Sequence, residues 1–261
     1  MTGQQSAASE KRGVPEKRSV STAAALVIGD ELLSGKIREE NIYELARLLR
    51  TLGIKFSRVN LIGDDLDNIA SEVKALSESH DVVFTSGGVG PTHDDITIEG
   101  VAKAFGVEAR VHADVEALLQ RAYGERYHAG HQRMALVPDG AELLSSEEVP
   151  WPTIVMRNVW VLPGVPEVFR MKLLLVKTHL VGTQRYLSRA VFTKMDEGDL
   201  KPLLDRVVAN HSAVSVGSYP RWRSPDYKTK ITFDAASDAL LQPAVDEFLE
   251  LLPDGEPQRI E

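Results

Sequence analysis

The sequence contains no cysteine among its 261 residues. This absence excludes disulfides, zinc sites built on thiolates and cysteine nucleophiles, and it agrees with a reducing compartment. Long apolar runs are also missing, because no run approaches the roughly 18 to 20 residues that a membrane-spanning helix needs. We therefore expect a cytoplasmic protein with no membrane partner.

Positive charge is in short supply as well. The chain has 30 Lys and Arg residues against 38 Asp and Glu residues, which gives a formal net charge of −8. We expect no nucleic-acid partner, since proteins that coat nucleic acids are usually basic, although this count does not address a local basic groove. The segment 1–20 has basic residues but no apolar stretch, so it does not match a secretory signal. We predict a disordered leader there.

Hydrophobic residues make up 43% of the chain, which is enough for a large domain together with a small one. Between residues 21 and 183, short apolar runs alternate with segments whose apolar residues recur at helical spacing. This alternation predicts an α/β domain with a mostly parallel sheet and helices on both faces. The predicted strands are 23–28, 55–62 and 81–85, and the predicted helices are 41–52, 67–76 and 96–105. Beyond them we predict a helix at 112–123, a strand near 141–144, a hairpin at 153–156 and 159–162, and a helix at 167–176.

The order of elements changes beyond residue 184. Apolar alternation and helical spacing there predict a strand, a helix, two strands and a helix. Their predicted bounds are 188–193, 198–210, 213–219, 227–234 and 238–252. This order is typical of a small α+β domain, which we place at residues 184–261.

Two loops that lie far apart in the sequence are predicted to meet. In a doubly wound sheet the usual order of the first three strands is 2-1-3, so strands 1 and 3 are neighbours. Ligands of such sheets bind in the crevice at the carboxyl ends of these strands. The residues there are Gly29, Asp30 and Glu31 after strand 1, and the loop Ser86–Asp95 after strand 3.

The second loop has the chemistry of a phosphate site. Gly87, Gly88 and Gly90 permit close backbone approaches, and their N–H groups can surround an anion at the start of a helix. The carboxylates of Asp94 and Asp95 would repel a bare phosphate, so a divalent cation that bridges carboxylate and phosphate is expected. Further ligand-binding candidates are the hydroxyls of Ser86, Thr92 and Thr97.

Other interpretations of these motifs remain open. Asp95 could simply cap the following helix, and the glycines could simply form a turn. The loop lacks the third glycine of a dinucleotide fingerprint, and no P-loop sequence is present. A strand-to-helix turn at Pro163, Gly164 and Glu167 supplies further candidates for ligand binding, since a glycine there lets the backbone approach a ligand. The aromatic and Arg side chains of the loop Gly217–Arg223 could stack on a base or a flavin ring, or the loop could be an exposed hairpin held by Trp222.

Three motifs occur in order: Gly29–Gly35, Gly87–Thr97 and Leu162–Glu167. On these residues the chain resembles the molybdopterin-binding domain family. The branch it resembles is found in competence-damage-inducible proteins and in the N-terminal half of eukaryotic-type FAD synthases. The resemblance is strong over residues 22–178, and the turn Gly217–Pro220 is similar to its FAD synthase version.

The resemblance implies a three-layer α/β/α fold and a homo-oligomer. In molybdenum-cofactor members the aspartate at the position of Asp95 supports Mg²⁺-dependent adenylyl transfer to molybdopterin. Those enzymes carry an arginine where this chain has Asp94. The competence-type branch is associated instead with pyrophosphatase activity on ADP-ribose or FAD, dependent on a divalent metal. The chain ends at residue 261 without a deamidase or adenylyltransferase domain, so we expect it to make neither nicotinate mononucleotide nor FAD.

The resulting hypothesis is an enzyme that hydrolyses ADP-ribose- or FAD-like dinucleotides with Mg²⁺, Mn²⁺ or Co²⁺. Asp94 and Asp95 are the predicted metal ligands, and Asp30 or Glu31 is predicted to orient the attacking water. The Gly88 and Gly90 amides are predicted to stabilise charge on a phosphoryl oxygen. Two alternatives are open: binding or adenylylation of molybdopterin, and a non-catalytic module that binds a nucleotide or pterin phosphate.

Overall fold

The computed structural model describes residues 17–261. The chain divides into two compact units, the first ending at Val181 and the second beginning at Gly182. In the part of the chain so described, no helix is both long and apolar enough to cross a membrane.

The first unit contains ten strands and seven α-helices within these described residues. The strands are β1 Arg18–Val20, β2 Thr22–Ile28, β3 Lys55–Ile62, β4 Val82–Ser86, β5 Ala109–Val111, β6 Leu136–Pro138, β7 Glu142–Leu144, β8 Thr153–Met156, β9 Val159–Leu162 and β10 Leu180–Gly182. The α-helices are α1 Asp30–Leu33, α2 Asn41–Leu52, α3 Leu66–Ser79, α4 Thr97–Ala104, α5 Ala113–Tyr123, α6 Ala129–Gln132 and α7 Pro166–His179.

Six of these strands form the central sheet in the order β3-β2-β4-β9-β8-β7. β2 runs parallel to both β3 and β4, and β4 runs parallel to β9. β8 and β7 complete the edge in antiparallel fashion. The predicted order 2-1-3 of the first three strands, the mostly parallel sheet and the hairpin of β8 and β9 are thus confirmed.

Successive side chains of a strand point to opposite sides of the sheet, so a fully apolar strand gives the sheet two apolar faces. Helices cover both of these faces. Ala23 and Ala25 of β2 belong to the same apolar cluster as residues of α2 and α7. Ala24 and Leu26 belong to the opposite cluster, with residues of α3 and α4. The predicted three layers are therefore present, with the core on each side of β2 and β4.

Helix boundaries follow local chemistry. Gly53 ends α2 in the left-handed region with φ 78°, as predicted for a C-terminal glycine. Asp65 begins α3 by accepting a hydrogen bond from the N–H of Asn68. Pro166 stands in the first turn of α7, where its missing N–H costs nothing.

The prediction of a disordered leader over residues 1–20 is wrong for residues 18–20. Arg18–Val20 forms β1, which pairs with β10, because Val20 is apolar and packs into a core cluster. The remaining part of that prediction, residues 1–16, lies outside the described residues.

The second unit is a four-stranded antiparallel sheet in the order β12-β13-β11-β14. Its elements are β11 Leu187–Thr193, α8 Glu197–Asn210, β12 Ser215–Pro220, β13 Thr229–Ala235, α9 Asp238–Leu251 and β14 Arg259–Ile260. Both helices share one apolar cluster with β11 and β13. Trp222, between β12 and β13, is 91% exposed, so it does not hold the hairpin as one interpretation of this loop assumed.

Candidate active site

The two predicted loops meet at the carboxyl end of the sheet. Val27 of β2 pairs with Ser86 of β4, so the loops after both strands start side by side. Gly87 has φ 107°, and a Cβ there would lie 2.1 Å from the carbonyl oxygen of Ile28. Only glycine permits this close approach between the loops.

The glycine loop folds back onto the start of α4. Thr97 donates from its hydroxyl to the carbonyl of Gly87 at 2.9 Å, and its N–H donates to the carbonyl of Gly88 at 3.0 Å. Because Thr97 is fully buried, it supports the loop from behind and does not contact the cavity. The two carbonyls are thereby turned towards the helix.

Asp95 holds the far end of the same loop. Its Oδ2 accepts hydrogen bonds from the N–H of Thr92 at 2.8 Å and from the Thr92 hydroxyl at 2.5 Å. A Cβ on Gly90 would lie 2.5 Å from this carboxylate, so the glycine makes room for it. The residue that precedes α4 is Ile96, so Asp95 closes the loop and does not cap the helix.

A row of carboxylates lies beside the loop. Asp64, at the end of β3, accepts a hydrogen bond from the N–H of Asp30 at 2.9 Å. Burial raises the pKa of Asp64, and the carboxylates of Asp30, Glu31 and Asp94 raise it further against the effect of that hydrogen bond. Asp30, Glu31, Asp64 and Asp94 together form the acidic rim. The structure therefore brings Asp94 together with the acids of the first loop, as the crevice argument predicted.

The surroundings of Asp94, an exposed residue of the acidic rim, shift its pKa. The Thr92 hydroxyl beside it, its own backbone N–H and the charge of His93 lower the pKa of Asp94. Asp94 is exposed and its pKa is lowered, whereas the half-buried Asp64 has a raised pKa. A cation would relieve the repulsion among these groups.

The donor set of the rim fits a hard cation that is shared with the ligand. Across residues 17–261, no group of three or more His, Cys, Asp or Glu side chains is arranged to hold a metal ion by itself. Mg²⁺ commonly uses one or two carboxylates together with substrate phosphates and water. The carboxylates predicted to hold such a cation are Asp94 of the acidic rim and Asp95 of the glycine loop.

A cavity of about 620 Å³ opens beside the glycine loop. Asn41, buried at the start of α2, donates to the hydroxyl of Ser86 at 3.0 Å and to the carbonyl of Gly164 at 2.9 Å. A Cβ on Gly164 would lie 3.3 Å from the Cα of Gly87. The predicted candidates that line the cavity are Glu31, Ser86, Gly87, Gly88, Gly90, Asp95, Pro163 and Gly164.

Other predicted residues lie away from the cavity wall. Gly29, Asp30, Thr92 and Asp94 belong to the loops but do not line the cavity. Glu167 is exposed, lies 4.0 Å from Arg170 and does not line the cavity, so its contact with a ligand stays a prediction. On α7 it is Val168 and Lys172, four residues apart, that line the cavity.

The cations of the cavity wall, Arg38, Arg133 and Lys172, are absent from the sequence prediction. Arg133 donates from Nη2 to the carbonyl of Asp95 at 3.1 Å and to the carboxylate of Glu99 at 3.0 Å. Lys172 is only 3% exposed and donates to the carbonyls of Trp151 and Pro152. Burial lowers the pKa of Lys172 to about 8. Nothing in the local pattern distinguishes these residues from surface cations.

An apolar cavity at the carboxyl ends of parallel strands, beside amide-rich and acidic loops, is typical of a ligand-binding α/β domain. A family model described as "Probable molybdopterin binding domain" matches residues 24–181, and one described as "FAD synthase, middle domain" matches residues 185–260. The chain belongs to the molybdopterin-binding domain family, in the branch that includes CinA-like proteins and FAD synthases.

Relatives of known sequence or structure support this membership. A "Probable FAD synthase" of Caenorhabditis elegans is 31% identical over 88% of this chain and 50% of that protein, so the chain spans about half its length. A protein of Archaeoglobus fulgidus is 30% identical over 87% of this chain and 96% of its own. The crystal structure of CinA from Thermoplasma acidophilum superimposes with a TM-score of 0.53 at 30% identity, covering 60% of this chain and 95% of that chain.

Proposed function

We propose that this protein is a divalent-cation-dependent pyrophosphatase that hydrolyses ADP-ribose- or FAD-like dinucleotides. The observation that supports it best is the position of the glycine loop, whose amides and acidic rim lie at the same edge of the sheet. Relatives named as FAD synthases support a nucleotide ligand. The apolar cavity has the size of a site for a small organic ligand.

The residues of the loop would act on the diphosphate. The amides of Gly88 and Gly90 would donate to a phosphoryl oxygen as its negative charge grows. Asp94 and Asp95 would hold the cation, which supplies neutralisation of phosphate charge. Glu31 lines the cavity and is the better placed of the two acids assigned to orient the attacking water, with Asp30 as the alternative.

The reaction is a hydrolysis. The oxygen of a water molecule attacks one phosphorus atom, and the bond from that phosphorus to the bridging oxygen breaks. The leaving phosphate takes up a proton, and ADP-ribose yields AMP and ribose 5-phosphate. Asp30 or Glu31 would accept the proton of the water as general base.

Asp95→Asn tests the charge of the loop without removing its structure. The asparagine oxygen can still accept from the N–H of Thr92, so the loop stays closed while the negative charge is lost. We expect AMP release from ADP-ribose or FAD, with Mg²⁺, Mn²⁺ or Co²⁺, to fall by about 100-fold or more. The measurement is chromatography of the products.

Asp205→Asn is the matched control, because Asp205 is an exposed aspartate of α8 paired with Lys201. It should keep wild-type activity. Full activity of Asp95→Asn, or no AMP from the wild type with any of the three metals, would refute the proposal. Adenylylation of molybdopterin with ATP would favour the first alternative, and ligand-dependent thermal stabilisation without product would favour the binding module.

A further inference from the structure

Lys172 is a buried cation without a carboxylate partner among the residues described. Its ammonium group has three N–H donors, and the carbonyls of Trp151 and Pro152 accept two of them. The residue lines the cavity although it is only 3% exposed. Carbonyl oxygens hydrogen-bond the ammonium but do not neutralise it, so a full positive charge is left at the wall of an apolar cavity.

Such a charge is costly unless an anion compensates it. Buried ammonium groups in proteins are normally paired, and an unpaired one loses hydration without gaining Coulomb attraction. Replacing the lysine by an apolar residue would avoid that cost, yet the local structure instead provides two carbonyls to hold the ammonium in place. This arrangement indicates a group kept for a ligand.

We infer that Lys172 forms a second anion subsite of the cavity, which binds a phosphate or carboxylate group of the ligand. The inference rests on the proposed function for the ligand class only, a nucleotide or pterin phosphate. It assigns to the ligand a negatively charged group in addition to the phosphate held at the glycine loop.

The ammonium group of Lys172 belongs to α7 and not to the glycine loop. α7 begins at Pro166, directly after the Gly164 turn that touches Gly87. Lys172 is six residues further on, and its side chain reaches the carbonyls of Trp151 and Pro152. Val168 and Lys172, four residues apart on α7, both line the cavity. The cavity therefore offers the ammonium group of Lys172 in addition to the amides of the glycine loop.

The other charges of the cavity do not take over this role. Its carboxylates are Glu31, Glu39, Glu40, Asp95 and Glu99, and its further cations are Arg38 and Arg133. Arg133 is already paired with Glu99. The lowered pKa of Lys172 comes from burial alone, which agrees with the absence of a charged partner.

The pH dependence of ligand affinity is the readout that a merely structural lysine would not produce. The pKa of Lys172 is about 8 in the free protein, and a bound anion raises it. Affinity for an anionic ligand is therefore complete below pH 8 and falls as the pH rises above it. Between pH 7 and pH 9.5 we expect a loss of about tenfold or more.

The probes are the non-hydrolysable methylene analogue of ADP-ribose and pterin-6-carboxylate, each titrated calorimetrically into the full chain with Mg²⁺. Adenosine is the uncharged control, and pterin corrects for the ring N–H proton that pterin and pterin-6-carboxylate both lose in this pH range. Lys172→Met should bind the anionic probe at least tenfold more weakly at pH 7, without the decline above pH 8. Lys172→Arg keeps its charge across the range, so its affinity should stay independent of pH.

The two probes distinguish a phosphate from a carboxylate, because affinity should depend on pH only for a probe whose anionic group reaches Lys172. An affinity of the wild type for both anionic probes that does not change from pH 7 to pH 9.5, or no binding of either, would overturn the inference, even if the variants failed to fold. Because the readout is binding of an uncleaved probe, absence of AMP release in the hydrolysis assay would refute the proposed reaction and leave this result intact.

Discussion

Gly88 carries a conformation and a contact that together exclude a side chain. Its φ is 65°, and a Cβ there would lie 2.3 Å from the hydroxyl oxygen of Thr97. To make room, the buried Thr97 would have to rotate and give up its hydrogen bond to the Gly87 carbonyl. Gly35 has a similar φ of 71° but has no atom within 4 Å of its Cβ position.

This pair of glycines gives a matched prediction of stability. Gly35→Ala should lower the free energy of unfolding by about 1 kcal/mol, the cost of the left-handed backbone alone. Gly88→Ala should cost about 2 to 4 kcal/mol, because the lost hydrogen bond and the crowding add to it. Urea denaturation of both variants measures the difference. Equal losses would show that the contact with Thr97 does not support the loop.

The sequence could predict some residues of the site but not others. Asp64 follows a predicted strand, so the rule that carboxyl ends of parallel strands meet could have found it. Lys172 and Arg133 could not be found in this way, because a basic residue in a helix or an irregular segment is usually solvated. Both residues contact segments that lie far away in the sequence, and no local sequence pattern indicates such contacts.

At the scale of elements, the first turn of α2 connects the two turns that form the cavity wall. Asn41 donates to Ser86 after β4 and to Gly164 before α7, and it is itself buried. Asn41→Ala leaves both acceptors without this partner, so we expect a loss of about 1 to 3 kcal/mol in stability. Affinity for the methylene analogue of ADP-ribose should fall as well. An unchanged melting temperature together with unchanged affinity would contradict this role.

The long elements could be predicted because their patterns are strong. β2 and β4 are apolar on both faces, and α2 repeats its buried residues at helical spacing. The short strands β5 and β6 and the irregular turns between α5 and β7 have too few residues to show a period. The motif Leu162–Glu167 predicts the start of α7, but it does not indicate which side of that helix faces the cavity.

At the scale of the whole molecule, each unit contains a carboxylate that the native structure keeps ionised. The N–H groups of Ser21 and Thr22, at the start of β2, lower the pKa of Asp81, which directly precedes β4. The Asn210 amide, with His211 and Arg206, lowers the pKa of Glu247 on α9. A lowered pKa contributes stability at neutral pH, and this contribution is lost as the pH falls through the pKa of the folded state.

Acid should therefore destabilise both units. We expect the melting temperature to fall as the pH is lowered from 6 to below 4. Asp81→Asn and Glu247→Gln should each melt lower than the wild type at pH 7 and should depend less steeply on pH. Scanning calorimetry of the three proteins measures this. A variant that keeps the full acid sensitivity of the wild type would show that its carboxylate is not a source of it.

In the proposed function, the glycine loop and its acids form a site for diphosphate cleavage. The most direct test is the rate of AMP release from ADP-ribose by the wild type, Asp95→Asn and Asp205→Asn, each with Mg²⁺ and with a chelator. We predict rapid release by the wild type and Asp205→Asn that the chelator abolishes, and about 100-fold less by Asp95→Asn. Release that is equal in all three proteins, or unaffected by the chelator, would contradict the account.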